Sequence, residues 1–307
     1  MTSINNNVQK EKRKFHLYEH PWLSLLAMIL TSIFSILLSG IVFFGILKLP
    51  DYSPTVQFAQ AMSFHILTGF ILAPFVLRLP KGKRTYRQFL DDIGFTRVKP
   101  FFRLVLLALS CYIILALSQV ATSLIYRLSQ GLPVTATFIL QVLDISGDLP
   151  PSSAGLFVTI PSMFEEVGSR GIALTVFLKK YSERQSIIFS SLGFGLLHLL
   201  NLLNGADFVW VMGQIVWAFI IGLFYGYVFV KTRSLLPPMI VHYLGNVFIG
   251  SLTGYMQASA SVATQVLYGV TLSLGIVPVT LMILWTKFFT SKWLTTDSHY
   301  EMSETKS

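Results

Sequence analysis

The sequence predicts an all-α, polytopic membrane protein of about eight transmembrane helices with both termini cytoplasmic. Three observations predict it. Of its 307 residues, 53% are hydrophobic and only 12% charged, where a soluble domain carries about 25% charged. The apolar residues fall in runs close to the roughly 20 residues that a bilayer requires. Lys and Arg concentrate in alternate loops, as the positive-inside rule demands.

The predicted spans cover residues 21–47, 56–79, 104–126, 153–178, 185–203, 208–230, 237–256 and 264–285. The first is too long, and starts too late, for a plain signal peptide, and no A-x-A-like site follows it. Residues 1–20 and 287–307 read as cytoplasmic tails around a transmembrane domain over 21–286, whose core lies at about 153–256. No internal repeat is visible.

Charge sets the orientation. Lys10, Lys12, Arg13 and Lys14 precede span one, and Lys81, Lys83, Arg84, Arg87, Arg97, Lys99 and Arg103 separate spans two and three. Lys179, Lys180 and Arg184 follow span four, Lys231 and Arg233 span six, and Lys287 and Lys292 span eight. The opposite loops hold only Lys48 and Arg127. Topology and attraction to the anionic lipid bilayer therefore account for the +9 net charge, and no nucleic acid is needed. Residues 86–103 mix aromatics with charges and are predicted to lie as an amphipathic helix in the inner interface. The single cysteine, Cys111, excludes an intrachain disulfide and reads as packing.

Span four carries the feature that composition does not explain: Glu165-Glu166-Val167-Gly168-Ser169-Arg170. An ionisable side chain at mid-bilayer costs roughly 2.5–3.5 kcal/mol on insertion scales. Glu166 and Arg170 are four apart, share a helix face and can pair. Glu165 points about 100° away and is the freer carboxylate, which suits general-base work. A structural pair that locks helices together is the plainer reading of the same residues. His198 stands alone among leucines in span five, and such a histidine is usually satisfied by a neighbouring carbonyl. His242 and Asn246 in span seven face one way, either as interhelical glue or as two aligned donors.

Other polar residues in the spans read as structural. His65 and Gln214 are expected to make helix–helix hydrogen bonds. Trp210 and Trp293 read as interfacial anchors, and Gly222 and Gly226 as points of close helix approach. The stretch 128–151 is long enough to cap the outer face. Depth gives a partial check. Glu165 and His198 lie about 20 Å from the inner ends of their spans at 1.5 Å per residue, whereas His242 is shallower. They meet if span seven begins deeper, or if Pro161 breaks span four and shifts Glu165.

Taken together, these residues resemble the CPBP family, the CAAX-protease and bacteriocin-processing (Abi) intramembrane proteases. Its pattern is EExxxR, FxxxH and HxxxN on three membrane helices. Here these are Glu165-Glu166-x-x-x-Arg170, Phe194-x-x-x-His198 and His242-x-x-x-Asn246. Ser169 stands where the family often has a bulky aromatic. The resemblance implies an endopeptidase in which Glu165 activates a water and His198 helps to hold it. His242 and Asn246 would stabilise the oxyanion, Arg170 would pair with Glu166, and Phe194 would pack on His198. Zinc would be held by Glu165, His198 and His242 with a water in the fourth position. The sequence has no H-E-x-x-H, and neither histidine has a sequence-local carboxylate to orient it. A metal-free glutamate mechanism without cofactor is therefore favoured.

The expected substrate is a membrane-associated peptide or protein, in bacteriocin immunity, peptide maturation or CAAX-type processing. A catalytically silent scaffold that regulates a partner is the alternative, though a scaffold has no need of Glu165. A proton-coupled transporter would more often show inverted repeats. Short loops and tails suggest a bacterial cytoplasmic membrane. Oligomeric state is not readable.

Overall fold

The computed structural model describes residues 17–51, 53–77, 85–136, 138, 153–248 and 275–294. Among these residues every regular element is helical. In chain order they are α1 (Pro21–Ile46), α2 (Pro54–Leu77), α3 (Tyr86–Asp92), α4 (Phe101–Ser129), α5 (residues 153–177), α6 (Glu183–Leu202), α7 (Phe208–Thr232), α8 (Leu236–Phe248) and α9 (Ile276–Phe289). Among the described residues, helices α1, α2, α4, α6 and α7 are the five long and apolar enough to cross a membrane. Helix α5 is helical throughout but carries three ionisable side chains. Parts of the seventh and eighth predicted spans, most of the 128–151 stretch, residues 1–16 of the N-terminal tail and residues 295–307 of the C-terminal tail fall outside the described residues.

Beside their apolar packing the helices bury small polar residues, and they expose many large apolar side chains, as lipid-facing helices do. On α1, Ser24, Thr31, Ser32, Ser35 and Ser39 are buried, while Leu26, Leu30, Phe34 and Leu37 are exposed. Small residues let helices approach when lipid is as apolar as leucine. The hydroxyls are satisfied locally: Thr31 donates to the Met28 carbonyl, Ser35 to Thr31 and Ser39 to Ile36. Helix α4 repeats the pattern, with Gln119, Thr122 and Ser123 buried and Leu106, Ile113 and Leu117 exposed.

Helix starts follow local chemistry. Capping boxes open α3 (Thr85 with Gln88) and α6 (Ser182 with Gln185), each satisfying two otherwise unpaired donors. The Asp207 side chain accepts from Trp210 N at the start of α7.

Two boundaries differ from the sequence reading. The helix expected over 86–103 stops at Asp92, and α4 already begins at Phe101. Gly94 adopts φ +76, a conformation that ends the helix, and its carbonyl accepts from Leu235 N at 3.0 Å. The loop is thereby held against the turn between α7 and α8. Within it Arg97 lies 2.9 Å from Asp91, and this charge-assisted hydrogen bond holds the Asp91 carboxyl below its ordinary range. At the other end, α9 continues in a π-helical turn, Thr290–Leu294, beyond the span predicted to end at 285.

Packing forms two apolar clusters. One gathers Met28, Ala73, Leu77, Phe89, Ile93, Ile172, Leu174 and Met239. The other gathers Leu107, Cys111, Leu115, Phe224, Val228, Val241, Val279 and Met282. Helix α7 contributes to both, with Phe229 on one side and Phe224 and Val228 on the other. It also packs along α6. On α5, Val167, Ile172 and Leu174 join the first cluster, and the Arg170 guanidinium lies 5.2 Å from the ring of Tyr225, a member of the second.

Candidate active site

Helix α5 is not uniform where its charges sit. Pro161 opens a 3₁₀ stretch, Ile160–Phe164. The chain returns to α geometry at Glu165 and Glu166 and then widens into a π-helical stretch, Val167–Leu174. Such departures re-aim side chains and are frequent at functional sites. The 3₁₀ stretch packs against α8, which brings His242 to the glutamates despite its shallower place in the sequence.

The two glutamates have opposite surroundings. The Glu166 and Arg170 side chains are both 0% exposed, and Arg170 NH1 lies 3.1 Å from Glu166 Oε1. The same nitrogen donates to Ser169 Oγ at 2.7 Å, and Ser169 donates in turn to the Glu165 carbonyl at 2.7 Å. The Arg170 guanidinium lies 4.3 Å from the Phe194 ring and 5.2 Å from Tyr225. Aromatic faces suit a desolvated cation. Gly222 makes room for it, since a Cβ there would sit 2.8 Å from Arg170 NH2.

Glu165 instead has a side chain 35% exposed. It lines a cavity of about 180 Å³ with His198, Ser169, Phe194, His65 and Asn201. His198 Nδ1 lies 3.0 Å from the Phe194 carbonyl. A carbonyl only accepts, so Nδ1 carries the proton and Nε2 holds the lone pair of the neutral ring.

His242 joins the two carboxylates. Its Nδ1 lies 2.8 Å from Glu166 Oε1, and its Nε2 lies 4.0 Å from Glu165 Oε2. The first is a hydrogen bond and fixes the ring. The second exceeds hydrogen-bond length and is a separation that a single water, set off the line, could bridge. The His242 ring also stacks on Tyr225, with centroids 5.5 Å apart and planes at 17°. Phe194 meets both histidines edge-on, at 5.2 Å from His198 and 6.0 Å from His242.

The structure therefore gathers Glu165, Glu166, Arg170, Phe194, His198 and His242. Asn246 is exposed, one turn beyond His242, and is not among the residues lining the cavity. Gln214 accepts from Asn201 at 2.7 Å and links α6 to α7. Sequence reasoning missed three residues. Ser169 was a departure from a pattern, yet it bonds Arg170 and Glu165. Tyr225 had no signal among the aromatics of α7. His65 looked like helix–helix glue, yet it lines the cavity.

One comparison bears on this geometry. Residues 149–248 match the Rce1-like family, type II CAAX prenyl endopeptidase. That segment holds the Glu165, His198 and His242 motifs, and the match supports an intramembrane protease of CAAX type within a multi-pass membrane protein. No curated protein and no solved structure matches the chain. Among the described residues, no three His, Cys, Asp or Glu side chains are grouped to hold a metal ion.

Proposed function

We propose that this protein is an intramembrane endopeptidase in which Glu165 activates the attacking water. The observation that carries the reading is the contrast between the glutamates. Glu166 is sealed against Arg170 and His242, while Glu165 faces a cavity shared with His198. Glu165 takes a proton from water, the resulting hydroxide attacks the scissile carbonyl, and the proton passes to the leaving amine. His198 Nε2 holds the water from the other side. His242, held by Glu166 at Nδ1, presents Nε2 beside Glu165 and, with both ring nitrogens protonated, would donate to the oxyanion; the resemblance gives Asn246 the same role, although it is exposed one turn further along α8. The buried Arg170–Glu166 pair positions His242 without touching substrate. CAAX-type tails, named by the family match, are the first substrates to test, ahead of bacteriocin-like or pheromone-like peptides. The charge pattern supports eight spans with cytoplasmic termini, and the short loops favour a bacterial membrane.

The test uses purified protein in liposomes with a farnesylated peptide tail. Mass spectrometry should find two fragments whose masses sum to the substrate plus one water. Cleavage is expected to persist with a strong chelator. Loss of cleavage under chelation, restored by added zinc, would overturn the metal-free mechanism.

A further inference from the structure

A second polar face lines the same cavity and is not used by the chemistry above. It comes from α2, outside residues 149–248. His65 and Thr68 are three apart, so they share a helix face, and both line the cavity with Glu165 and His198. Directly after His65 the helix becomes π-helical over Ile66–Leu72, and this stretch packs against the π-helical stretch of α5. Gly69 permits the approach, because a Cβ there would lie 3.1 Å from Val167 Cγ1.

Thr68 is 7% exposed, and its hydroxyl has no hydrogen-bond partner among the described residues. Thr31, Ser35, Ser39 and Thr122 all bond back to their own helix. Thr68 departs from that habit. A buried hydroxyl left without a protein partner destabilises the free protein, and because Thr68 lines the cavity a ligand group there can complete it.

A peptide that enters a membrane site brings its own difficulty. Each of its N–H and C=O groups loses water, and the bilayer offers nothing in return. The site must supply donors and acceptors beside the bond to be cut. An imidazole and a hydroxyl on one face offer both, and a cavity of about 180 Å³ exceeds the space of one water.

We propose that His65 and Thr68 form a subsite that hydrogen-bonds the main chain of the substrate peptide next to the scissile bond. This rests on the protease reading and adds α2 to the site.

The test measures binding apart from cleavage. In a Glu165→Gln background, which leaves the probe intact, a fluorescent farnesylated tail peptide is titrated into protein in nanodiscs. Each amide of the peptide is replaced in turn by an ester, which removes the N–H and weakens the carbonyl. Thr68→Val should raise Kd by roughly 3- to 10-fold, the worth of one hydrogen bond, and Thr68→Ser should restore it. The Thr68→Val penalty should vanish for one ester position only. An unchanged Kd, an equal penalty at every ester position, or no binding by any folded variant would each overturn the subsite. If Thr68-dependent binding is seen but Glu165-intact protein never cleaves the peptide, the protease reading fails while the subsite stands.

Discussion

His242 Nδ1 and Glu166 Oε1 lie 2.8 Å apart in the buried interior, joining α8 to α5 across 76 residues of sequence. The same oxygen receives Arg170 NH1 at 3.1 Å. One carboxylate oxygen thus serves a cation and a histidine, and the free ring nitrogen of that histidine is turned toward Glu165.

A buried ion pair contributes little net stability, but removing one partner strands the other. Arg170→Met and Glu166→Leu should each destabilise the protein by about 3–5 kcal/mol. The double variant should cost clearly less than the sum of the two. Chemical unfolding in detergent micelles checks this, and strict additivity would mean that the pair is not coupled.

Gly222→Ala forces a methyl group to 2.8 Å from Arg170 NH2 and 3.0 Å from Ser191 Cβ. The expected loss is about 1–3 kcal/mol, with the guanidinium displaced from its aromatic seat. Gly213 is the control on the same helix. A Cβ there meets nothing within 4 Å, so Gly213→Ala should be neutral or stabilising by up to about 1 kcal/mol. Comparing the two melting temperatures separates close approach from helix propensity.

Phe194 touches Arg170, His198 and His242 at once. Phe194→Leu keeps an apolar side chain of somewhat smaller volume but removes the ring face and edge. Its stability cost should be modest, roughly 1–2 kcal/mol from the lost cation–π contact. Its cleavage rate should fall further than its stability, because both histidines lose their lateral support. A rate that falls only in step with the folded fraction would assign Phe194 to packing alone.

Much of this was legible in the sequence where the link is local. The Glu166–Arg170 pair and the Phe194–His198 contact each span four residues, so helical periodicity alone brings them together. The separation of Glu165 from Glu166 by one helical step predicted their different surroundings. What was not legible depends on long-range placement. Nothing near His242 in the chain announces a carboxylate, since Glu166 arrives from another helix. A lone His65 in an apolar run looks the same whether it joins two helices or faces a cavity. The break of the 86–103 helix follows from Gly94, whose carbonyl is held by Leu235, a contact that no local pattern encodes.

The central claim is that Glu165 activates the water. The most direct measurement is the single-turnover cleavage rate of a farnesylated tail peptide by Glu165→Gln in liposomes, alongside wild type matched for melting temperature. Loss of the general base should slow cleavage by about 10²–10⁴-fold while the peptide still binds. Cleavage by Glu165→Gln at a rate within a few-fold of wild type would contradict the account.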